Sequence, residues 1–122
     1  MLHSHAFRLF RVTAIALAVL ASGCTYNVAV PCQMEGNVSY SNCIAPLMEA
    51  HCTSCHSSNF PEAGLNLTVH ESVAQSAIEG DLKRVLRLPT SDPLFMPQFG
   101  YPLAEEDIQL IERWTEQGAP NN

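Results

Sequence analysis

The stretch Cys52-Thr53-Ser54-Cys55-His56 decides how the rest of this chain is interpreted. Two thiols stand three positions apart, and a histidine follows the second one directly. This spacing is typical of covalent haem attachment, in which each sulfur adds to a vinyl group of the porphyrin and the imidazole binds the iron. The motif therefore predicts one haem c, with Cys52 and Cys55 as attachment residues and His56 as an axial ligand.

Two other chemistries use the same residue types. A redox dithiol of the thioredoxin kind needs a βαβ context, and the sequence around Cys52 shows no strand-like alternation. A zinc site needs four ligands in a tetrahedron, and no second C-x-x-C or H-x-H pair follows the motif. His51 and His56 could complete a ligand set with the two cysteines, but all four residues fall within positions 51–56. Such a short segment is too cramped to surround a metal ion.

The first 23 residues predict export from the cytoplasm. Arg8 and Arg11 give a positively charged start, and the apolar run at 12–20 is too short for a permanent membrane span. The run leads into Leu-Ala-Ser-Gly-Cys at 20–24, which resembles the lipobox of bacterial lipoproteins. That resemblance implies cleavage of residues 1–23 and lipidation of Cys24. The alternative is an ordinary secretory signal, so in either case we expect an extracytoplasmic protein, and with the lipid a periplasmic, membrane-anchored one.

The mature chain is strongly acidic. Without residues 1–23 it keeps four basic residues against twelve acidic ones, a net charge of −8. This balance argues against binding to nucleic acid and against a basic patch for anionic lipid. We therefore expect contact with the membrane through the lipid alone, and redox protein partners with a basic docking surface.

Two further cysteines, Cys32 and Cys43, remain after lipid and haem are assigned. Disulfides persist outside the cytoplasm, so these two residues form a possible disulfide that would join the start of the chain to the domain. Free thiols are the alternative at both positions. A structural role is expected in either case.

The mature chain divides into a tether at 24–40 and one domain at 41–122. The tether contains Pro31 and Gly36 and has no helical period. Beyond it, apolar spacing and capping residues predict helices that begin at about Ser41 or Asn42, at His70, at Asp81 and at about Ala104, and that end near Cys52, Glu79, Leu88 and Gln117. No strand pattern appears, so the predicted fold class is all-α.

The segment at 88–102 predicts the second haem ligand. Its four prolines exclude regular structure, while its apolar side chains are too numerous for a disordered loop. Met96 lies within it, forty residues after His56 and therefore able to reach the opposite haem face, and a thioether raises the reduction potential of haem iron. The other candidates are less well placed: Met34, Met48, His51 and His70.

From about Val38 to Asn122 the sequence resembles a monohaem cytochrome c domain of the class I type, as found in bacterial lipoproteins. The motifs that carry the resemblance are the apolar helix from Ile44 to Cys52, the C-x-x-C-H motif, Gly64-Leu65-Asn66-Leu67, Met96-Pro97, the helix from Ile108 to Trp114, and Gly118-Ala119-Pro120. The resemblance implies a small domain whose first and last helices cross around one covalent haem. It also implies electron transfer, without enzymatic turnover or a small-molecule substrate.

Two main functional hypotheses follow, and a structural lipoprotein with a zinc or disulfide knuckle is a third. In the leading one, a membrane-anchored cytochrome serves as a mobile electron carrier or as the haem subunit of a respiratory or dehydrogenase complex. In the alternative, the haem iron is five-coordinate, and the protein is a gas sensor or a peroxidase with His70 as the only candidate for a distal acid-base group. Arg84 and Arg87 could bind haem propionates by charge-assisted bonds, although a solvated helix face is the slightly favoured explanation.

Overall fold

The computed structural model describes Cys32 and residues 35–122, which lie within one compact unit. The predicted signal peptide at 1–23, the lipidation of Cys24 and most of the predicted tether lie outside the described residues. The Cys32–Cys43 pair lies within them, and its two sulfurs form a disulfide that spans a Cα–Cα distance of 5.6 Å. This bond attaches Cys32 to the first turn of the folded domain.

The described part of the chain contains four α-helices and no β-strand, as the all-α prediction requires. The helices are α1 at Ala45–His51, α2 at His70–Ile78, α3 at Leu82–Leu86 and α4 at Glu105–Glu116. A π-helical turn at Tyr40–Ile44 precedes α1, and a 3-10 turn at Glu62–Gly64 follows it. None of the described helices has the length and apolar character to cross a bilayer.

The first helix differs from its prediction at its start. Ser39, rather than Ser41 or Asn42, is the cap, and its side chain accepts a hydrogen bond from the Asn42 N–H. A continuous α-helix from Ser41 would need an N–H from Pro46 for the Asn42 carbonyl, and proline has none. The chain therefore forms a wider π turn first, and regular α-helix begins where Pro46 occupies the first turn.

The core lies between α4 and the elements that precede it. The buried stripe of α4 packs against the π turn, α2 and α3, and it consists of Ile108, Leu110, Ile111 and Trp114. Trp114 is fully buried, stacks on Tyr40 with ring centroids 5.5 Å apart, and donates its indole N–H to the Pro120 carbonyl at 3.0 Å. Contact between the beginning and the end of the domain therefore holds the helices together.

Packed residues also precede residue 41, where the domain was predicted to begin. Val38 is 1% exposed and belongs to the core, as does Tyr40. The end of the chain holds this segment: Gln117 accepts the Val38 N–H at 2.9 Å and donates to the Gly36 carbonyl at 2.7 Å, and Asn122 accepts the Tyr40 N–H at 2.7 Å. These contacts span about eighty positions, so no local pattern could predict them.

We expect Gln117→Ala to destabilise the domain by about 1–2 kcal/mol, because it leaves the N–H of the buried Val38 without its acceptor. Urea unfolding of the full chain measures this loss. Gln109→Ala is the matched control, since the Gln109 amide only donates to Glu105 on the exposed surface of α4. Equal midpoints for the two variants would contradict the assigned role of Gln117.

Candidate haem-binding site

One backbone turn carries both thiols and the imidazole of the motif. The N–H groups of Cys55 and His56 donate to the Cys52 carbonyl at 3.2 and 2.9 Å. These i→i+3 and i→i+4 bonds make a helical turn directly after α1, and residues at such spacings share one side of a turn. One helical turn of the backbone therefore carries Cys52, Cys55 and His56.

The two thiols are free, and Cys52 is half-buried while Cys55 is exposed. Burial raises the pKa of Cys52 to about 11. A redox dithiol needs a thiol whose pKa is lowered so that the thiolate forms, and the pKa of Cys52 is raised instead.

Among the described residues, no group of three or more His, Cys, Asp and Glu side chains lies close enough together to hold a metal ion. The four residues at 51–56 that could have bound zinc therefore do not form such a cluster.

The His56 ring is oriented by a backbone group. Its Nδ1 lies 3.1 Å from the Glu62 carbonyl oxygen. A carbonyl accepts and never donates, so the hydrogen bond requires the proton on Nδ1 and leaves the Nε2 lone pair for a metal. One ring nitrogen is thus held by a hydrogen bond and the other is free. This arrangement is typical of metal-ligating histidines.

The chain after His56 folds back and fixes this geometry. An isolated bridge pairs His56 with Pro61, the Glu62 N–H donates to the Cys55 carbonyl at 3.1 Å, and the Leu67 N–H donates to the His56 carbonyl at 2.8 Å. Leu67 is buried in the core, which anchors the returning chain. Phe60, at the tip of this loop, is 67% exposed and lies outside the protein core.

Met96 lies on a separate loop and is attached to α3 rather than to the Cys52–His56 turn. Its N–H donates to the Val85 carbonyl at 3.1 Å, and its side chain is partly exposed. The preceding Phe95 is buried at 7% exposure. The backbone at Met96 is therefore fixed while the thioether keeps access to the surface.

Large apolar side chains of the Met96 loop face away from the protein core. Leu94 is 52% exposed, Phe99 is 95% exposed and Tyr101 is 92% exposed. The sequence predicted that these side chains need an apolar partner, and the protein core does not cover them. Contiguous patches of exposed apolar side chains are typical of surfaces that bind an apolar ligand or partner.

His70, the only candidate for a distal acid-base group, is committed elsewhere. Its Nε2 lies 2.9 Å from the Ala119 carbonyl oxygen, and its ring packs edge-on against Tyr40 and Trp114. The imidazole therefore donates to a backbone group within the packing between the two ends of the domain. This position offers no support for a peroxidase.

Arg84 of α3 and Arg87 at its C-cap both form ion pairs with carboxylates of the protein. Arg84 binds Asp81 at 2.9 Å. Arg87 binds Glu112 with two nitrogens, at 2.9 and 2.8 Å, and Glu105 with a third at 2.7 Å. The Arg87 guanidinium lowers the pKa of both glutamates. These pairs favour the helix-surface interpretation of the arginines over propionate binding.

The donor set matches the chemistry of a haem c site. Two free thiols and an imidazole with a free Nε2 share one turn, and a thioether lies on a second loop whose apolar side chains are exposed. Sequence reasoning missed the backbone carbonyls of Glu62 and Val85, which orient His56 and hold Met96. Every residue carries a carbonyl, so the sequence does not show which carbonyl accepts such a bond.

No protein-family model, curated protein or solved structure matches the chain. The function is therefore inferred from the residues themselves.

Proposed function

We propose that the protein is a monohaem c-type cytochrome, anchored to the membrane by lipid at Cys24, that transfers electrons in the periplasm. The observation that carries this proposal is the turn at 52–56. It carries two free thiols and an imidazole at positions i, i+3 and i+4 of one helical turn, with the Nδ1–H donating to the Glu62 carbonyl. This geometry supports covalent attachment at Cys52 and Cys55 and axial ligation by His56.

Met96 is proposed as the second axial ligand. Bound haem supplies an iron that changes oxidation state by one electron, and ligation by histidine and methionine raises its reduction potential. If His56 and Met96 both bound the iron, no open position would be left for a substrate. Cys52, Cys55, His56 and Met96 would hold the group, and it would supply one-electron redox chemistry. The helical domain with contacting first and last elements supports a cytochrome c fold.

The acidic mature chain supports a redox partner with a basic surface. Described carboxylates gather at the start of α4, where Glu105, Glu106 and Asp107 follow one another on mainly exposed positions. Opposite charges on two proteins steer their encounter and raise the association rate at low ionic strength. We expect electron exchange with a basic redox protein to slow as salt is added.

The test is to produce the full chain with a haem c maturation system and to stain for haem after denaturing electrophoresis. We expect wild type to retain the stain, because thioether bonds survive denaturation, and the Cys52→Ser, Cys55→Ser double variant to lose it. A Cys32→Ser, Cys43→Ser double variant removes two cysteines outside the motif and should keep the stain. Wild type without covalent haem would refute the proposal.

The ferric spectrum of the same protein separates the carrier from the five-coordinate alternative. A methionine-to-iron charge-transfer band identifies low-spin iron with Met96 bound. A high-spin spectrum without this band would indicate an open iron site, and a gas sensor or peroxidase would replace the carrier. We expect the band, because Met96 is the only described methionine on a loop with exposed apolar side chains, whereas Met48 is 2% exposed in the core.

A further inference from the structure

The loop that carries Met96 is closed at its base by an ion-pair cluster. The loop spans 88–104, between the C-cap of α3 at Arg87 and the first residue of α4 at Glu105. Arg87 and Glu105 are therefore the residues at its two ends, and their side chains meet at 2.7 Å. Glu112, two turns further along α4, binds the same guanidinium with both carboxylate oxygens. We call Arg87, Glu105 and Glu112 the Arg87 clasp.

A second contact connects the clasp to Met96. The Met96 N–H donates to the carbonyl of Val85, which lies two residues before Arg87. The position of Met96 therefore depends on where the end of α3 lies. The clasp fixes that end against α4 from the outside, while the buried Leu82 and Leu86 fix it from the core side.

The chemistry of the clasp favours a positional role. A guanidinium carries five N–H donors in a rigid plane, so one residue can bind two carboxylates in defined directions. Single exposed ion pairs contribute little to stability, but a two-pronged pair within a network of three charges restricts geometry more strongly. Arg87 has a side-chain exposure of 40%, so its removal leaves no cavity in the core.

We propose that Arg87 is a positioning residue for Met96, which keeps the base of the 88–104 loop closed so that the thioether stays at the haem iron. The inference rests on the proposed function for the ligand role of Met96 alone. The closure of the loop by the clasp does not depend on haem.

The test compares Arg87→Gln with Arg84→Gln in the full chain. Both variants remove one arginine from the same short segment. Among the described residues, Arg84 forms an ion pair with Asp81, three residues away, and none with α4. Glu112→Gln also breaks the ion pair between Arg87 and Glu112, because an amide cannot accept both hydrogen bonds of the guanidinium as a carboxylate does. Far-UV circular dichroism verifies that each variant keeps its helices.

The first measurement is amide hydrogen exchange at Met96, which needs no haem. We expect exchange in Arg87→Gln and Glu112→Gln to be roughly threefold to tenfold faster than in wild type, because losing the network raises the population of the open loop. Arg84→Gln should stay within about twofold of wild type. Equal exchange in the two arginine variants would overturn the proposal.

The second measurement uses the haem-loaded protein and its charge-transfer band. We expect the band to weaken and the midpoint potential to fall in Arg87→Gln but not in Arg84→Gln, since an open loop withdraws the thioether from the iron. An unchanged band in Arg87→Gln would overturn the inference while leaving the cytochrome proposal intact. If wild type takes up no haem, the cytochrome proposal fails, and amide exchange still decides whether the clasp closes the loop.

Discussion

Replacement of Met96 by alanine should abolish the methionine-to-iron charge-transfer band and lower the midpoint potential by tenths of a volt, the order of magnitude that axial ligands control. The thioether is a soft ligand that stabilises ferrous iron, so its loss favours the ferric state. Covalent haem should persist, because Cys52 and Cys55 are untouched. Redox titration and the ferric spectrum of the full haem-loaded chain measure both effects.

Leu94→Ala is the control for this result. Leu94 lies in the same loop, is 52% exposed and has no donor atom for iron. Its truncation removes apolar contact area without changing the ligand set, so the band should remain and the potential should change far less than in Met96→Ala. An unaltered spectrum and potential in Met96→Ala would show that another group binds the iron or that the sixth position is empty.

The largest loss of stability is expected for Trp114→Ala, at about 3–5 kcal/mol. Trp114 is fully buried, and the variant removes its stacking on Tyr40, its edge contact with His70 and its hydrogen bond to the Pro120 carbonyl. These contacts join the last helix to the π turn, to α2 and to the end of the chain. Urea unfolding followed by circular dichroism measures the change.

Two further variants separate the parts of this effect. Trp114→Phe keeps an aromatic ring in the core and loses the indole N–H, so it should cost about 1–3 kcal/mol, less than alanine. Tyr101→Ala removes an aromatic side chain that is 92% exposed and should cost under about 0.5 kcal/mol. A loss in Tyr101→Ala comparable to that in Trp114→Ala would mean that burial does not govern the effect.

The fold was predictable where its signals are local. The predicted start of α2 at His70 agrees with the structure, and the predicted ends of α3 and α4 agree within two residues. Amphipathic spacing and glycines near helix ends predict these boundaries, because both signals lie within a few residues of the boundary. Gly118, with a φ of +87°, occupies the left-handed region just after α4, as a terminating glycine does.

The contacts that bury the start of the domain were not predictable from local signals. Residues 36–40 contain Gly36 and lack a helical period, so they resemble a tether, yet Val38 and Tyr40 are buried. Their burial depends on Gln117 and Asn122 at the other end of the chain. Two polar side chains near a terminus give no local sign of such partners.

The sequence by itself determined which residue types the candidate site contains. Cys52, Cys55 and His56 lie in one turn because they are neighbours in the sequence, and the proline-rich segment predicts Met96 as the second ligand. Only the tertiary structure decided which atoms orient and hold these groups: the Glu62 carbonyl for His56, the Val85 carbonyl for Met96, and the Arg87 clasp at the base of the loop. The physical reason is that residue type and spacing encode ligands, whereas backbone carbonyls and ion pairs between distant residues acquire partners only when the chain folds.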